Sequence, residues 1–101
     1  MEVEFGKKKV ELKFTFNSFK YMQDFDLGAL VELESKPFKI IDIAGQLLLG
    51  AANNNKSVKV APIEVDRYIE TAFEEDTIAE LVNYLVNELE NSSFFKGLQK
   101  K

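Results

Sequence analysis

The sequence predicts an α+β fold: an N-terminal β-hairpin followed by about four helices packed around a central apolar helix. Three observations predict it. Apolar and polar residues alternate on both sides of Gly6 within the first sixteen positions. The run from Phe38 to Ala52 is apolar around most of a helical circumference. Apolar residues between Ile78 and Leu89 recur at helical spacing.

The hairpin comes first. Val3 and Phe5 alternate with Glu2 and Glu4, and after Gly6, Lys7 and Lys8 the alternation resumes through Val10, Leu12, Phe14 and Phe16. One face is apolar and needs cover, because an isolated hairpin is not stable in water. Asn17 or Ser18 suits the cap of a short helix carrying Phe19, Tyr21, Met22 and Phe25. Asp26, Leu27 and Gly28 then mark a break, and Ala29 to Leu33 adds one or two turns.

Pro37 opens the central helix, since proline is favoured at the first helical position. Only Lys39, Asp42, Gln46 and Gly50 form a polar stripe on it, so it should be buried on most sides. Asn53, Asn54 and Asn55 stop it, as asparagine tolerates left-handed backbone. After a connector from Lys56 to Ala61, Pro62 opens another helix. Val65, Tyr68, Ile69, Ala72 and Phe73 lie on its apolar arc. The last long helix is capped by Asp76 or Thr77, and Thr77 with Glu80 fits a capping box. Its apolar face is Ile78, Leu81, Val82, Leu85, Val86 and Leu89. The chain thus reads as one domain, 1–101: a hairpin over 1–16, a helical part over 17–95 and a frayed end over 96–101.

Composition excludes much chemistry. With no cysteine there is no disulfide, thiolate metal site or cysteine nucleophile, and with no histidine the usual general base near neutral pH is missing. The N-terminus is acidic and alternating, so it is not a signal peptide, and no apolar run is long enough to span a membrane. Residues 64–90 carry nine carboxylates against Arg67 alone, and the net charge of −4 argues against nucleic acid as a partner. The glycines are scattered and form no phosphate loop.

The remaining candidate sites have plain structural readings. Asp24, Asp26 and Gly28 start a calcium-loop rhythm, but the later ligands are missing and a helix-break turn accounts for them. Glu74, Glu75 and Asp76 sit where a helix N-terminus attracts negative charge. Lys7, Lys8 and Lys9 read as a solvated hairpin tip. No cofactor, metal or catalytic residue is expected, and the chain reads as a binding protein rather than an enzyme.

Apolar excess stands out instead, with nine phenylalanines in 101 residues. Either all of it packs inside, or part of it forms a groove or self-association surface for a partner helix.

The layout as a whole resembles the short tail assembly chaperones of siphophages that infect Gram-positive bacteria. The resemblance runs through the hairpin ending at Val10–Asn17, the segment Phe19–Met22, the apolar helix Ile40–Gly50, the acidic helix Glu64–Glu70 and the stretch from Glu90 to Lys96. Ordering and lengths carry it, not one motif. It implies a protein that binds the tape measure protein and keeps it soluble during tail assembly in the host cytoplasm, and that is not expected in the mature virion. It also implies a longer frameshifted form in many phages, for which Gln99, Lys100 and Lys101 would suit a slippery codon run. Self-association is left open, and neither nucleic acid nor membrane is an expected partner.

On this reading the partner groove lies between the central and last long helices, with Leu49, Tyr84, Phe94, Phe95 and Leu98 at its rim. The rival expectation is a small acidic regulatory adaptor or inhibitor that binds a basic partner through the carboxylates of residues 64–90.

Overall fold

The computed structural model describes residues 1–25, 28–33 and 35–92. Strands β1 (Glu2–Phe5) and β2 (Lys8–Glu11) form an antiparallel hairpin. Two short helices follow, α1 (Phe16–Lys20) and α2 (Gly28–Glu32). A 3-10 turn over Pro37–Lys39 leads into α3 (Ile40–Ala52), and α4 (Pro62–Glu74) and α5 (Ile78–Glu90) complete the order. This is the α+β arrangement expected.

Gly6 has φ of 64° and Lys7 does not share the positive value, so the two-residue turn is of the primed type whose twist matches a hairpin. The register sets Val3 opposite Val10, and Glu4 opposite Lys9 on the other face. Val3, Phe5, Val10 and Leu12 are all buried. The helices supply the cover that the hairpin needs. The Phe5 ring lies 5.5 Å from that of Tyr68 on α4. Burial, and then Glu75, pushes the Tyr68 phenol up, so it stays neutral. Lys8 is no free tip residue: its ammonium donates to the Lys59 carbonyl at 2.8 Å and to Glu64 at 3.1 Å.

The paired strand stops at Glu11, short of the alternation that ran to Phe16. The reason is a cap. Thr15 caps α1 and forms a reciprocal capping box with Ser18, so Phe16 becomes a helical residue facing solvent. Asn17, expected as a possible cap, instead donates its side-chain amide to the Asn53 carbonyl at 2.9 Å.

Helix α3 is central, packing on α5, α4 and α1. Ile43, Ala44, Leu47, Leu48, Ala51 and Ala52 are buried on it. Gly50 does not belong to the polar stripe as expected. It is buried where a Cβ would run into the Met22 side chain, so its bareness lets α1 approach.

The asparagines do end α3, but not through left-handed backbone: Asn53 has φ of −88°. Side-chain hydrogen bonds do the work. The Asn53 amide donates to the Leu49 and Val60 carbonyls at 2.8 and 3.0 Å, and its oxygen accepts from the Val60 N–H at 2.9 Å. Asn54 donates to the Glu11 and Ala51 carbonyls, and the Thr15 hydroxyl donates to the Asn54 carbonyl. With Ser18, which donates to the Lys13 carbonyl, these residues form a buried polar hub. It joins the hairpin, α1, the end of α3 and the connector.

The left-handed residue lies elsewhere. Asp76, with φ of 60°, closes α4 in a Schellman motif: Thr77 N–H donates to Ala72 O at 2.8 Å, and Asp76 N–H to Phe73 O at 3.2 Å. The Thr77 hydroxyl also turns back to Ala72, so the expected Thr77–Glu80 capping box does not form.

Candidate functional site

On α3 and the 3-10 turn that leads into it, positions 38, 41, 42, 45, 46 and 49 follow helical spacing and fall on one stripe. The neighbouring helices leave this stripe partly open. Phe38 is 90% exposed and Ile41 is 43% exposed. Across from it stand Pro62, Val65 and Asp66 at the start of α4, and the space between is an open groove of about 550 Å³. Ile41 and Asp66 are shared with a second depression that adds Ile69, Glu70 and Phe73. Together the two run along the α3–α4 seam.

Gly45 is the reason that the groove has depth. A Cβ built there would meet nothing within 4 Å, so the missing side chain leaves open space rather than a tight contact. Asp42 and Gln46 sit beside it, joined by a long hydrogen bond of 3.4 Å. Asp66 and Glu70 stand on the α4 side, both exposed. The site is therefore an apolar channel between acidic rims.

Leu49, expected at the partner surface, lines this groove. Tyr84 does not. It sits on α5, and its phenol oxygen accepts a 2.7 Å hydrogen bond from the Met1 amino group, which also pairs with Glu11 at 3.0 Å. Burial, followed by the Glu88 and Glu11 carboxylates, pushes the Tyr84 phenol up, so it remains a neutral acceptor. It fastens the start of the chain to α5. Phe94, Phe95 and Leu98 lie outside the described residues. The expected groove between α3 and α5 is filled: these helices pack on one another through Leu47, Leu48, Leu81, Leu85 and other buried side chains.

Phe38, Ile41, Gly45, Ile63 and Phe73 were not singled out as surface residues by their sequence pattern. Phe73 lies on the apolar arc of α4, yet it is 60% exposed, as is Ile63. One signal was available. Ile41, Gly45 and Leu49 repeat every fourth residue and flank Asp42 and Gln46, so they border the polar stripe.

Among the described residues, no group of three or more acidic side chains is placed to hold a metal ion. No helix there is long and apolar enough to cross a membrane. No protein-family model, curated protein or solved structure matches the chain.

Proposed function

We propose that this chain is a tail assembly chaperone, a binding module that holds amphipathic helices of a tape measure protein in the α3–α4 groove. The observation that carries the reading is the apolar stripe of exposed Phe38 and Ile41 and half-buried Leu49, next to buried Val65 and set between carboxylates. A helix with an apolar face and basic flanks fits such a groove. Covering a large apolar side chain contributes about 1.5–3 kcal/mol. A few such residues leave little after the cost of association, so each copy binds weakly. Several copies along one long helical polypeptide would then act by avidity, and each would be released easily as the tail tube forms. The setting is the cytoplasm of the bacterial host.

The test is co-expression with the tape measure protein, followed by co-purification. The wild-type chain should bring it into the soluble fraction in several copies. Ile41→Glu should abolish this, because it places a carboxylate on the groove floor next to Asp42 and Asp66. The far-UV circular dichroism of that variant should stay unchanged, since Ile41 is already partly exposed. Equal recovery with Ile41→Glu would overturn the reading. Binding that ignores the groove but is lost in 0.5 M salt would favour an acidic adaptor for a basic partner.

A further inference from the structure

We propose that the outer edge of β2 is a second docking site, where an extended acidic segment of another protein adds as a strand in the space between β2 and the connector. Backbone register decides which groups of β2 face outward. In an antiparallel pair, residues alternate between those bonded to the neighbouring strand and those turned away from it. Leu12 N–H donates to the Met1 carbonyl at 2.9 Å, so the even-numbered residues on this side of the hairpin face β1. The odd-numbered ones face the other way. Two of their groups are already used: Lys13 N–H donates to the Ala51 carbonyl at 3.3 Å, and the Glu11 carbonyl accepts from the Asn54 amide at 2.6 Å. The N–H and carbonyl of Lys9 and the N–H of Glu11 have no partner among the described residues. They form an open edge at the hairpin end of β2.

A depression of about 510 Å³ lies beside this edge, with Lys8, Lys9 and Val10 on the strand side and Ser57, Val58 and Lys59 on the connector side. It shares no lining residue with the α3–α4 groove, so the inference does not rest on the tape measure reading. Its charge names the partner. Three lysines line it and no carboxylate does. Lys8 is held by Glu64 at 3.1 Å, but Lys9 stands 3.9 Å from an equally exposed Glu4, and Lys59 makes no ion pair among the described residues. Lysines on an edge discourage pairing with a second copy of the same strand, and they favour a strand that carries carboxylates. A residue added opposite Lys9 shares its face, so an acidic side chain belongs there. The next residue along falls beside Val10, where a small apolar side chain packs near half-buried Val58. Main-chain hydrogen bonds hold the segment, and its alternating side chains select it.

The probe is an end-blocked eight-residue peptide of alternating glutamate and valine, added to the intact chain and followed by amide NMR. It should bind with a Kd below about 1 mM. At saturation, hydrogen exchange of the Lys9 and Glu11 amides should slow at least tenfold. Methylating the glutamate amides of the peptide keeps every charge but removes the N–H groups that face Lys9, and should weaken binding at least tenfold. Methylating the valine amides, which face away from β2, should cost far less. A peptide of alternating lysine and valine should not bind. Lys9→Glu combined with Lys59→Glu should lose at least tenfold in affinity with unchanged circular dichroism, since both side chains are exposed. Absence of binding at about 1 mM peptide, equal losses from the two methylated peptides, or unchanged exchange at Lys9 and Glu11 would overturn the proposal. None of these readouts involves Ile41 or the tape measure protein, so failure of either proposal leaves the other standing.

Discussion

Asn53→Ala should be among the most damaging single substitutions in this protein. The Asn53 side chain is 1% exposed and makes three hydrogen bonds. Two of them satisfy both backbone groups of Val60, which is itself buried. Alanine removes these partners and offers none in return. The Leu49 carbonyl still accepts the Asn53 backbone N–H at 3.1 Å, so it does not count as lost. Leaving a buried donor or acceptor unpaired costs about 1–3 kcal/mol, which puts the loss for the two Val60 groups at roughly 2–6 kcal/mol. Total stability for a domain of this size is about 5–15 kcal/mol, so a loss in the middle of that range, about 4 kcal/mol, is a quarter or more of it. The assay is equilibrium urea denaturation followed by far-UV circular dichroism. The midpoint should fall while the slope stays constant, and Tm should drop by more than about 10 °C. Asn53→Asp should not rescue the loss. It keeps an acceptor for the Val60 N–H but aims oxygen lone pairs at the Leu49 and Val60 carbonyls. A variant Asn53→Ala within 1 kcal/mol of the wild type would refute the argument that the hub holds the connector in place.

The two glycines of α3 should respond with opposite signs. Gly45→Ala should stabilise by about 0.5–1 kcal/mol in the same urea assay, because alanine is the better helix former and nothing obstructs its Cβ. Gly50→Ala should instead destabilise by about 1–2 kcal/mol, as the contact with Met22 and the Ser18 carbonyl outweighs the same helical gain. Asp76→Gly should raise Tm by a few degrees, since glycine takes a left-handed backbone with less strain, although its unfolded chain is freer. The Glu32 carboxyl is held below its usual range, first by the hydrogen bond from Lys39 and then by the charges of Lys39 and Lys36. Its folded value being the lower one, the linkage is present above the ordinary carboxylate range and lost as pH falls through the folded value. Carboxyl NMR titration should show Glu32 titrating below a Glu32-containing model peptide, and Lys39→Ala should remove most of that difference.

How much was legible in the sequence differs between elements for physical reasons. Periodicity reports which face is buried: it placed the hairpin, α4 and α5 because each has one partner side and one solvent side, and α3 because its narrow polar stripe marks a helix covered from several directions. Caps were harder to place. Thr15, Asn17 and Ser18 all have oxygen-bearing side chains suited to a helix start, and the choice of Thr15 depends on Ser18 turning back to it and on Asn54 lying nearby. That last contact spans 39 positions and has no local trace. Thr77 does stand at the N-cap of α5, but its capping box with Glu80 was misread for a similar reason, since the Schellman closure at Asp76 takes the Thr77 hydroxyl away from the helix that it precedes. In the candidate site, Leu49 was expected at a groove against α5 and lines the one against α4 instead. Phe38 and Phe73 were missed because periodicity shows which residues share a face, not whether another element covers it.

That distinction explains why the groove exists at all. Helix α3 is apolar around most of its circumference and must be covered from several directions. The chain supplies α5 on one side, α1 on another and α4 on a third. At the α4 side the cover is incomplete, and the local sequence works against closing it. Gly45 offers no side chain to fill the gap, where alanine would have been the better helix former. Phe38 and Phe73 stand in solvent on either side of the seam rather than folding into it. A domain selected for stability alone would gain from filling this seam with one larger residue at position 45, since the space is already there. Keeping glycine there gives up helix propensity and packing together, at a position where no contact or backbone conformation demands it. The partner helix proposed for this groove would account for both losses, and on that proposal Gly45 carries more weight than the exposed phenylalanines do.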